Sequence, residues 1–538
     1  MIDVDALQRR FERARATRGN WETLWQEIAE RVLPQMADFN TRRSPGEKRT
    51  EKMYDATAAL AAHKAVAAIS AFVWPANQQY QKLTTSNPAL NKVQRVKAWM
   101  DEATTALFRV RYSPRAAFES QMGAAGLQHF VFGTGLLFID DDMRSRRITY
   151  QAAPLAQVTL AEGAGGHVDT VYRCWPWTLR QIEQRWPGKL PEKLRQRLAT
   201  HPDDEVEVAH AVHPRTDYDA ERVGYPGMPW VSAYWLPGEK HALDEGGFES
   251  WPFGVLRYMP SPGEVYGRGP AWLVLSNIKV LNTQKRSILQ AAQKVVDPPL
   301  LAADLDVPVS QVPGALNGGT LAANGDQLVK PLVSGARVDI GLDMMDKERE
   351  VIASAFLMDV FRVLVENPQM TATQTLELLN ERAIHMAPIA GRIESECLGP
   401  MTERELDILQ RAGQLPPMPP EMIEAQGEYE IEYTSPMRKA MRSSEAIAIA
   451  RTMEQVLPLA EVRPEVLDAF DLEAAAIEVA EIQGMPAKLI RDEEQRKAIR
   501  EARGQQQEDA QLLEAAPIVA DTAASLAKLQ AAGGVLPG

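Results

Sequence analysis

The stretch YGRGPAWLVLSNIKVLNTQKRSILQAAQKVVDPPLL, residues 266–301, constrains the fold more than any other part of this chain. Two glycines and a proline open it, and a double proline closes it. Between them Val274, Ile278, Leu281, Ile288, Ala292 and Val295 fall on one stripe of a helix, and Lys279, Thr283, Arg286, Gln290 and Lys294 on another. The spacing predicts a rod over residues 271–295, ~37 Å long at the usual helical rise. A second rod of nearly equal length is predicted over 342–365, and its second half (VIASAFLMDVFRVLV) is almost wholly apolar. Residues 297–341 lie between them and carry Pro298-Pro299, Gly318-Gly319 and Asn324-Gly325, which is the chemistry of turns and short strands. Two matched rods whose outer ends return to one body make a protruding stalk with a knob at its tip. Such a stalk would leave apolar faces in water in a monomer, so the pattern calls for neighbours.

The rest of the chain supplies the body. Residues 7–32 predict one amphipathic helix ended by Pro34. The alanine-rich segment 55–73 (DATAALAAHKAVAAISAFV) predicts a second, closed by Trp74-Pro75, whose small side chains permit close approach of a neighbouring helix or subunit. Helices follow at about 93–111 and 116–132. The period then changes to two: GTGLLFIDDD (133–142), RRITYQAAPLAQVTL (146–160), HVDTVYRCW (167–175), DDEVEVAHAVHP (203–214), MPWVSAYWL (228–236) and GVLRYM (254–259) read as one antiparallel sheet region, with the helix TLRQIEQRW (178–186) embedded in it. That order is α+β and not a βαβ repeat. After ENPQM a long helix from Thr371 or Thr373 keeps a heptad spacing to Cys397, and Pro388 predicts a bend near residue 385. GEYEIEY (427–433) predicts a strand returning to the earlier sheet. From 438 onward the chain reads as helical, with Pro464 and Pro486 in first-turn positions and a frayed end.

Signatures of chemistry are sparse. With 538 residues the chain exceeds a single core, and a net charge of −13 argues against a general nucleic-acid coat. It contains no GxxxxGK[ST] phosphate loop. Gly267 and Gly269 read as a turn before a proline-started helix. His210 and His213 fall on opposite faces of a strand, and Asp140, Asp141 and Asp142 read as a solvated turn more readily than as a Mg²⁺ site. Cys174 and Cys397 read as buried small hydrophobes. No catalytic residue, metal or cofactor is assigned. No stretch is apolar enough to span a bilayer, and the acidic start is unlike a signal peptide, so a cytoplasm-like compartment without membrane attachment is expected.

Several stretches taken in order resemble one family. They are Trp21 and Trp25 before Pro34, YDATAALAAHKAVAAISAFVWP (54–75), FGTGLLFI (132–139), VDTVYR (168–173), HPR (213–215), YGRGPA (266–271) and DPP (297–299). Together they resemble the head-to-tail connector, or portal, proteins of short-tailed double-stranded DNA bacteriophages. One departure is WPANQQYQKL (74–83), where an aromatic pair is expected and Tyr80 stands alone. The resemblance implies a predominantly helical α+β portal fold. Its parts would be a wing (1–268), a first stem helix (269–296), a clip (297–341), a second stem helix (342–366), a channel loop (367–371), a return to the wing through a kinked helix and a strand (372–437), and a helical crown with its tail (438–538).

The resemblance further implies a structural protein, not an enzyme: a homo-oligomeric ring of twelve at one capsid vertex of the virion, assembled in the host cytoplasm. Double-stranded DNA would pass through without sequence reading. Partners would be the terminase motor, capsid and scaffolding proteins, and tail adaptor and ejection proteins. Lys279, Lys285, Arg286 and Lys294 would line the channel together with Glu366, Asn367, Gln369 and Met370. Asn317, Asn324, Asp326 and Gln327 would face the motor or tail. The rod cations could equally pair with Asp343, Asp346, Glu348 or Glu350 of the second rod or of a neighbour. Two rivals stay open, another ring-forming head-tail adaptor and a packaging ATPase or nuclease subunit, the latter weakened by the missing phosphate loop.

Overall fold

The computed structural model describes residues 3–41, 44, 46–142, 147–302, 306, 308–332, 338–358, 383–384, 386–424, 429–483, 485, 491 and 495–506. They fall into two compact units, one formed by Met1–Lys82, Ala103–Pro416 and Tyr433–Met441, the other by Leu83–Glu102, Pro417–Glu432 and Arg442–Gly538. The chain is mixed helix and sheet, as its changes of period predict.

The first helix is two. α1 (Val4–Ala16) and α2 (Gly19–Val32) part at Thr17 and Arg18. Arg18 is buried at the break, donating to the Leu155 carbonyl at 2.7 Å and lying over the Trp25 ring. Each half then meets its own partner. Leu7 and Phe11 of α1 join Tyr172, Ala209, Ala211, Ala233 and Trp235 in one core cluster, whereas α2 packs on α5 (Phe118–Phe132). The alanine-rich segment forms α3 (Thr57–Val73), which begins where the Asp55 carboxylate accepts the Thr57 N–H. Its small side chains serve a neighbouring helix of the same chain: α3 lies on α5, and the Val66 side chain reaches within 3.3 Å of where a Cβ on Gly126 would stand. α4 (Gln94–Arg111) completes the helices before the strands.

Two sheets stand where one was expected. β2 (Thr134–Asp142), β3 (Arg147–Ala153) and β9 (Phe253–Arg257) form a three-stranded antiparallel sheet in the order β3-β2-β9. β4 (Val158–Glu162), β5 (Val168–Thr178), β6 (Glu205–Pro214), β7 (Trp230–Leu236) and β8 (His241–Phe248) form a five-stranded one in sequence order. RITYQAAPLAQVTL is therefore not a single strand. Pro154 ends β3, and a short 3-10 turn, Leu155–Gln157, carries the chain to the second sheet. α6 (Leu179–Arg185) is present with a complete capping box at Thr178 and Gln181. α7 (Glu192–Thr200) and β8 are additional to the elements predicted from the sequence.

Three details correct the sequence-based reading. Asp140–Asp142 is not a solvated turn but the paired end of β2, opposite Thr149, Ile148 and Arg147. Asp141 forms ion pairs with Arg404 and Arg411. The late strand, β12 (Glu430–Tyr433), pairs with β1 (Gln81–Thr84) in a two-stranded sheet of its own instead of returning to the earlier sheets. Cys397 is fully buried, its thiol pushed up to about 12 by burial, but Cys174 is only half-buried. His210 and His213 do face opposite ways: His210 is buried between Arg173 and Ser232, and His213 turns to the Pro214 carbonyl. Tyr80 is fully buried, and Phe108 supplies the second ring, edge-on at 5.0 Å.

Residue 385, where a bend was expected, lies outside the described residues. Residues 386–393 are helical through Pro388, and the irregularity falls later, as a π-turn over Glu394–Leu398 ahead of α11 (Gly399–Arg411). α12 (Pro420–Glu424) and α13 (Pro436–Val462) follow. In the second unit Pro464 opens a 3-10 turn as predicted, α14 (Leu472–Gln483) follows, and Arg442 pairs with Glu478 at 2.5 Å; Pro486 is outside the described residues.

One buried group sets a pH dependence. His129 of α5 is fully buried between Phe130 and Tyr258, and neither ring nitrogen makes a well-formed hydrogen bond, the nearby Leu256 backbone offsetting little. Burial pushes its pKa down to about 4. The unfolded chain, with an imidazole near the ordinary value of about 6.5, binds the proton first as pH falls. The neutral ring's contribution is thus complete above that value, declines towards pH 4, and is constant below. The decline amounts to about 3 kcal/mol at this site. Denaturant unfolding across that window should show His129→Phe losing less stability than the wild type by that order; identical slopes would contradict it.

Candidate functional site

The base of the stalk is a glycine seam. Gly133 has a left-handed backbone (φ 82°), and a Cβ there would stand 2.3 Å from the Gly267 carbonyl oxygen and 2.5 Å from the Gly269 nitrogen. A Cβ on Gly269 would in turn meet the Phe130 carbonyl at 2.6 Å. The FGTG and YGRGPA motifs are therefore two sides of one backbone contact. Tyr258 N–H donates to the Gly133 carbonyl and Gly267 N–H to Thr134 Oγ1. Around the seam Tyr266 packs edge-on against Trp25 at 4.9 Å and accepts the Leu160 N–H, while the Arg268 guanidinium lies over Trp21 and Trp272.

From this seam the first rod departs, with Pro270 at the first turn as predicted. It is not one helix over 271–295. A short α8 (Pro270–Leu273) breaks at Val274 (φ −107°, ψ 19°), and the rod proper is α9 (Leu275–Val296). The second rod is α10 (Val338–Ala355), which packs beside α9. It does not run unbroken to 365, because Leu357 takes a left-handed backbone (φ 60°) that a helix cannot continue through.

Polar locks fix the pair to the body. The buried Asn282 side chain accepts the N–H groups of Tyr54 and Asp55 at 2.6 and 3.0 Å. Asp55 receives Arg349 of α10 at 2.7 Å, and Asn277 donates to Glu348 at 2.9 Å. Burial alone would raise the Asp55 carboxyl, but hydrogen bonds from Thr57 and Arg349 hold it below the ordinary range. The same contact raises Arg349. Apart from Glu348, which was named only as a partner for the rod cations, none of these side chains stood out in the sequence, since a polar lock has no local pattern; an asparagine on the apolar side of a helix was the available signal.

The predicted stripes of α9 are largely real. Val274, Ile278 and Leu281 are buried, Ile288 and Ala292 half-buried, and Lys279, Thr283, Arg286, Gln290 and Lys294 all exposed; Val295 departs by being exposed. The cations do not use the second rod's acids within the chain. Lys279 pairs with Glu27 of α2 at 2.7 Å, and Arg286 lies over the Tyr54 ring. Lys285 is half-buried, off the exposed stripe, and neither it nor Lys294 has a carboxylate partner among the described residues. Asp346 is taken by Arg349, while Asp343 and Glu350 point to solvent. Both rods leave large apolar side chains bare: Val280, Leu289 and Val296 on α9, the last 85% exposed, and Leu342, Met344 and Val351 on α10.

At the tip, β10 (Leu300–Ala302) and β11 (Val329–Pro331) close a two-stranded ribbon. Asn317 braces the Ser310 backbone through both ends of its amide, and Asn324 bonds Asp326, whose N–H it also receives. Gln327 bridges to Leu321. These four residues hold turns and are themselves exposed, and large apolar side chains are exposed beside them: Leu316, fully exposed, with Val312 and Leu321. Glu366, Asn367, Gln369 and Met370 lie outside the described residues. Among the described residues no cluster of His, Cys, Asp or Glu is placed to hold a metal, and no helix is long and apolar enough to cross a membrane.

The paired rods are thus bare on their apolar flanks and carry cations on an exposed face. The chain belongs to the family of bacteriophage head to tail connecting proteins, whose model matches residues 4–490. It is 29% identical over 536 residues to the "Probable portal protein" of Bordetella phage BPP-1, covering 97% of this chain and 94% of that one. It is 25% identical over 545 residues to the "Portal protein" of Salmonella phage epsilon15, covering 98% and 96%.

Proposed function

We propose that this chain is a phage portal protein: a ring-forming structural subunit at one capsid vertex, through which DNA enters and leaves the head. The observation that carries the reading is the stalk, whose two rods expose Val280, Leu289, Val296, Leu342, Met344 and Val351 in the single chain. Burying that surface is the driving force for side-by-side packing, and a contact between unlike faces of α9 and α10 closes into a ring. On this reading residues 1–268 and 372–437 form the wing, 269–296 and 342–366 the stem, 297–341 the clip, and 438–538 the crown.

Lys279, Arg286 and Lys294 then offer loose phosphate contacts on the outer face of the first rod, with Lys285 contributing from its flank. Loose contact suits a channel, because tight binding would stall the moving duplex. The loop 367–371, with Glu366, Asn367, Gln369 and Met370, narrows the channel sterically. The clip meets the terminase motor and later the tail through Asn317, Asn324, Asp326 and Gln327, with Leu316, Val312 and Leu321 exposed beside them. Capsid and scaffolding proteins meet the body, and the assembled ring resides in the virion.

Mass measurement of the purified protein in native buffer should find a closed oligomer, with twelve copies as the expected number. A stable monomer at micromolar concentration would overturn the reading.

A further inference from the structure

Five arginines are buried among the described residues, Arg18, Arg111, Arg173, Arg257 and Arg404. Four have a carboxylate: Glu22 for Arg18, Glu405 for Arg111, Glu396 for Arg257 and Asp407 for Arg404. Arg173 has none within 4.0 Å among the described residues. Both its Nε and one terminal nitrogen point to the same acceptor, His210 Nδ1, at 3.2 and 2.8 Å. An arginine only donates, so this nitrogen is bare and His210 carries its proton on Nε2, which donates to Ser232 Oγ at 3.0 Å. The imidazole is thereby neutral, and burial, with Arg173 beside it, keeps it so. The charge of Arg173 is otherwise met by ring faces, Phe138 at 3.9 Å, Trp175 at 5.1 Å and Phe253 at 5.5 Å, by a hydrogen bond with Tyr234, and by the more distant carboxylate of Asp140. A buried cation left this way is costly unless something else completes it.

Arg173 is also the buried arginine that opens on a cavity. Between the two sheets lies a space of about 280 Å³, lined by Arg173, Arg185, Asp140, Phe138, Trp175 and Trp177 among others. Its volume is that of about nine waters in the liquid. Two guanidiniums face it against one carboxylate, Asp140, which burial and the adjacent Asp141 bias towards its protonated form. Flat aromatic walls stand beside the positive end. We propose that this cavity binds a small organic oxyanion, its carboxylate or phosphate head held by Arg173 and Arg185 and its flat apolar body lying against Trp175, Trp177 and Phe138.

The test uses the full chain and benzoate, followed by ligand-observed NMR, with benzamide as the uncharged match and inorganic phosphate as competitor. Arg185 is exposed at the mouth, so Arg185→Gln leaves the fold intact. Saturable benzoate binding is expected, displaced by phosphate, with benzamide and the Arg185→Gln variant each weaker by roughly tenfold, the scale of one charged hydrogen bond. Absence of saturable benzoate binding, equal binding of benzamide, failure of phosphate to displace it, or an unchanged affinity in Arg185→Gln would each overturn the site.

Discussion

Alanine at Gly133 is expected to destabilise the body by on the order of 4 kcal/mol, enough to leave little folded protein, for two reasons that add. The left-handed backbone there disfavours any Cβ, a strain of about 1–2 kcal/mol. The new methyl would also lie 2.3 to 2.5 Å from backbone atoms of Gly267 and Gly269, which cannot swing aside as a side chain can. Since the seam launches the first rod, relief by backbone movement would shift the stalk. Gly263 supplies the control: its φ is 78°, but nothing lies within 4 Å of its Cβ position, so Gly263→Ala should show the conformational strain alone. Urea unfolding of the two variants separates the effects, and a Gly133→Ala midpoint no lower than that of Gly263→Ala would refute the steric argument.

The second large effect is expected at Glu405. This carboxylate is 1% exposed and faces Arg111, itself fully buried, through bonds from Nε at 3.1 and 3.2 Å and from a terminal nitrogen. Tyr150 donates to the same carboxylate, Tyr80 accepts from Arg111 at 2.7 Å, and Thr402 accepts at 3.1 Å. Burial opposes both charges, but Glu405 and Tyr80 hold Arg111 protonated well above its ordinary range. Glu405→Ala leaves a guanidinium with no anion in a site closed to water, and a loss of about 3–5 kcal/mol follows. The pair itself is worth less than its breakage, because two desolvated ions are close to break-even against apolar residues. Arg111→Met combined with Glu405→Leu should therefore be more stable than Glu405→Ala alone, as read from chemical denaturation midpoints. A double variant as unstable as the single one would place the energy in the surrounding hydroxyl network.

Both sites illustrate where sequence patterns stop. FGTG and YGRGPA are visible as motifs, but that their glycines touch is invisible, since 133 and 267 are far apart in the chain. Arg111 and Glu405 sit on ordinary helices and carry no local sign of one another. The alternation of β6 and β7, the proline starts and the rod stripes were legible because each is written within a few residues. The break between α1 and α2 was not: the three-four spacing is interrupted only at Arg18 and resumes beyond it, while the two halves turn to different partners.

The sequence by itself determined the two rods, the turn-rich segment between them, the change of period into strands and the family resemblance, all of which depend on side chains close in the chain and repeat at a structural period. Only the tertiary structure decided that the strands divide into two sheets at Pro154, that Lys279 answers to Glu27 and not to the second rod, that Asn282 and Asp55 lock the stalk to the body, and that, among the described residues, Arg173 is the buried arginine with no carboxylate within 4.0 Å. Periodicity records which face of an element is buried, whereas a hydrogen bond or ion pair between distant residues depends on a few tenths of an ångström that no local pattern encodes.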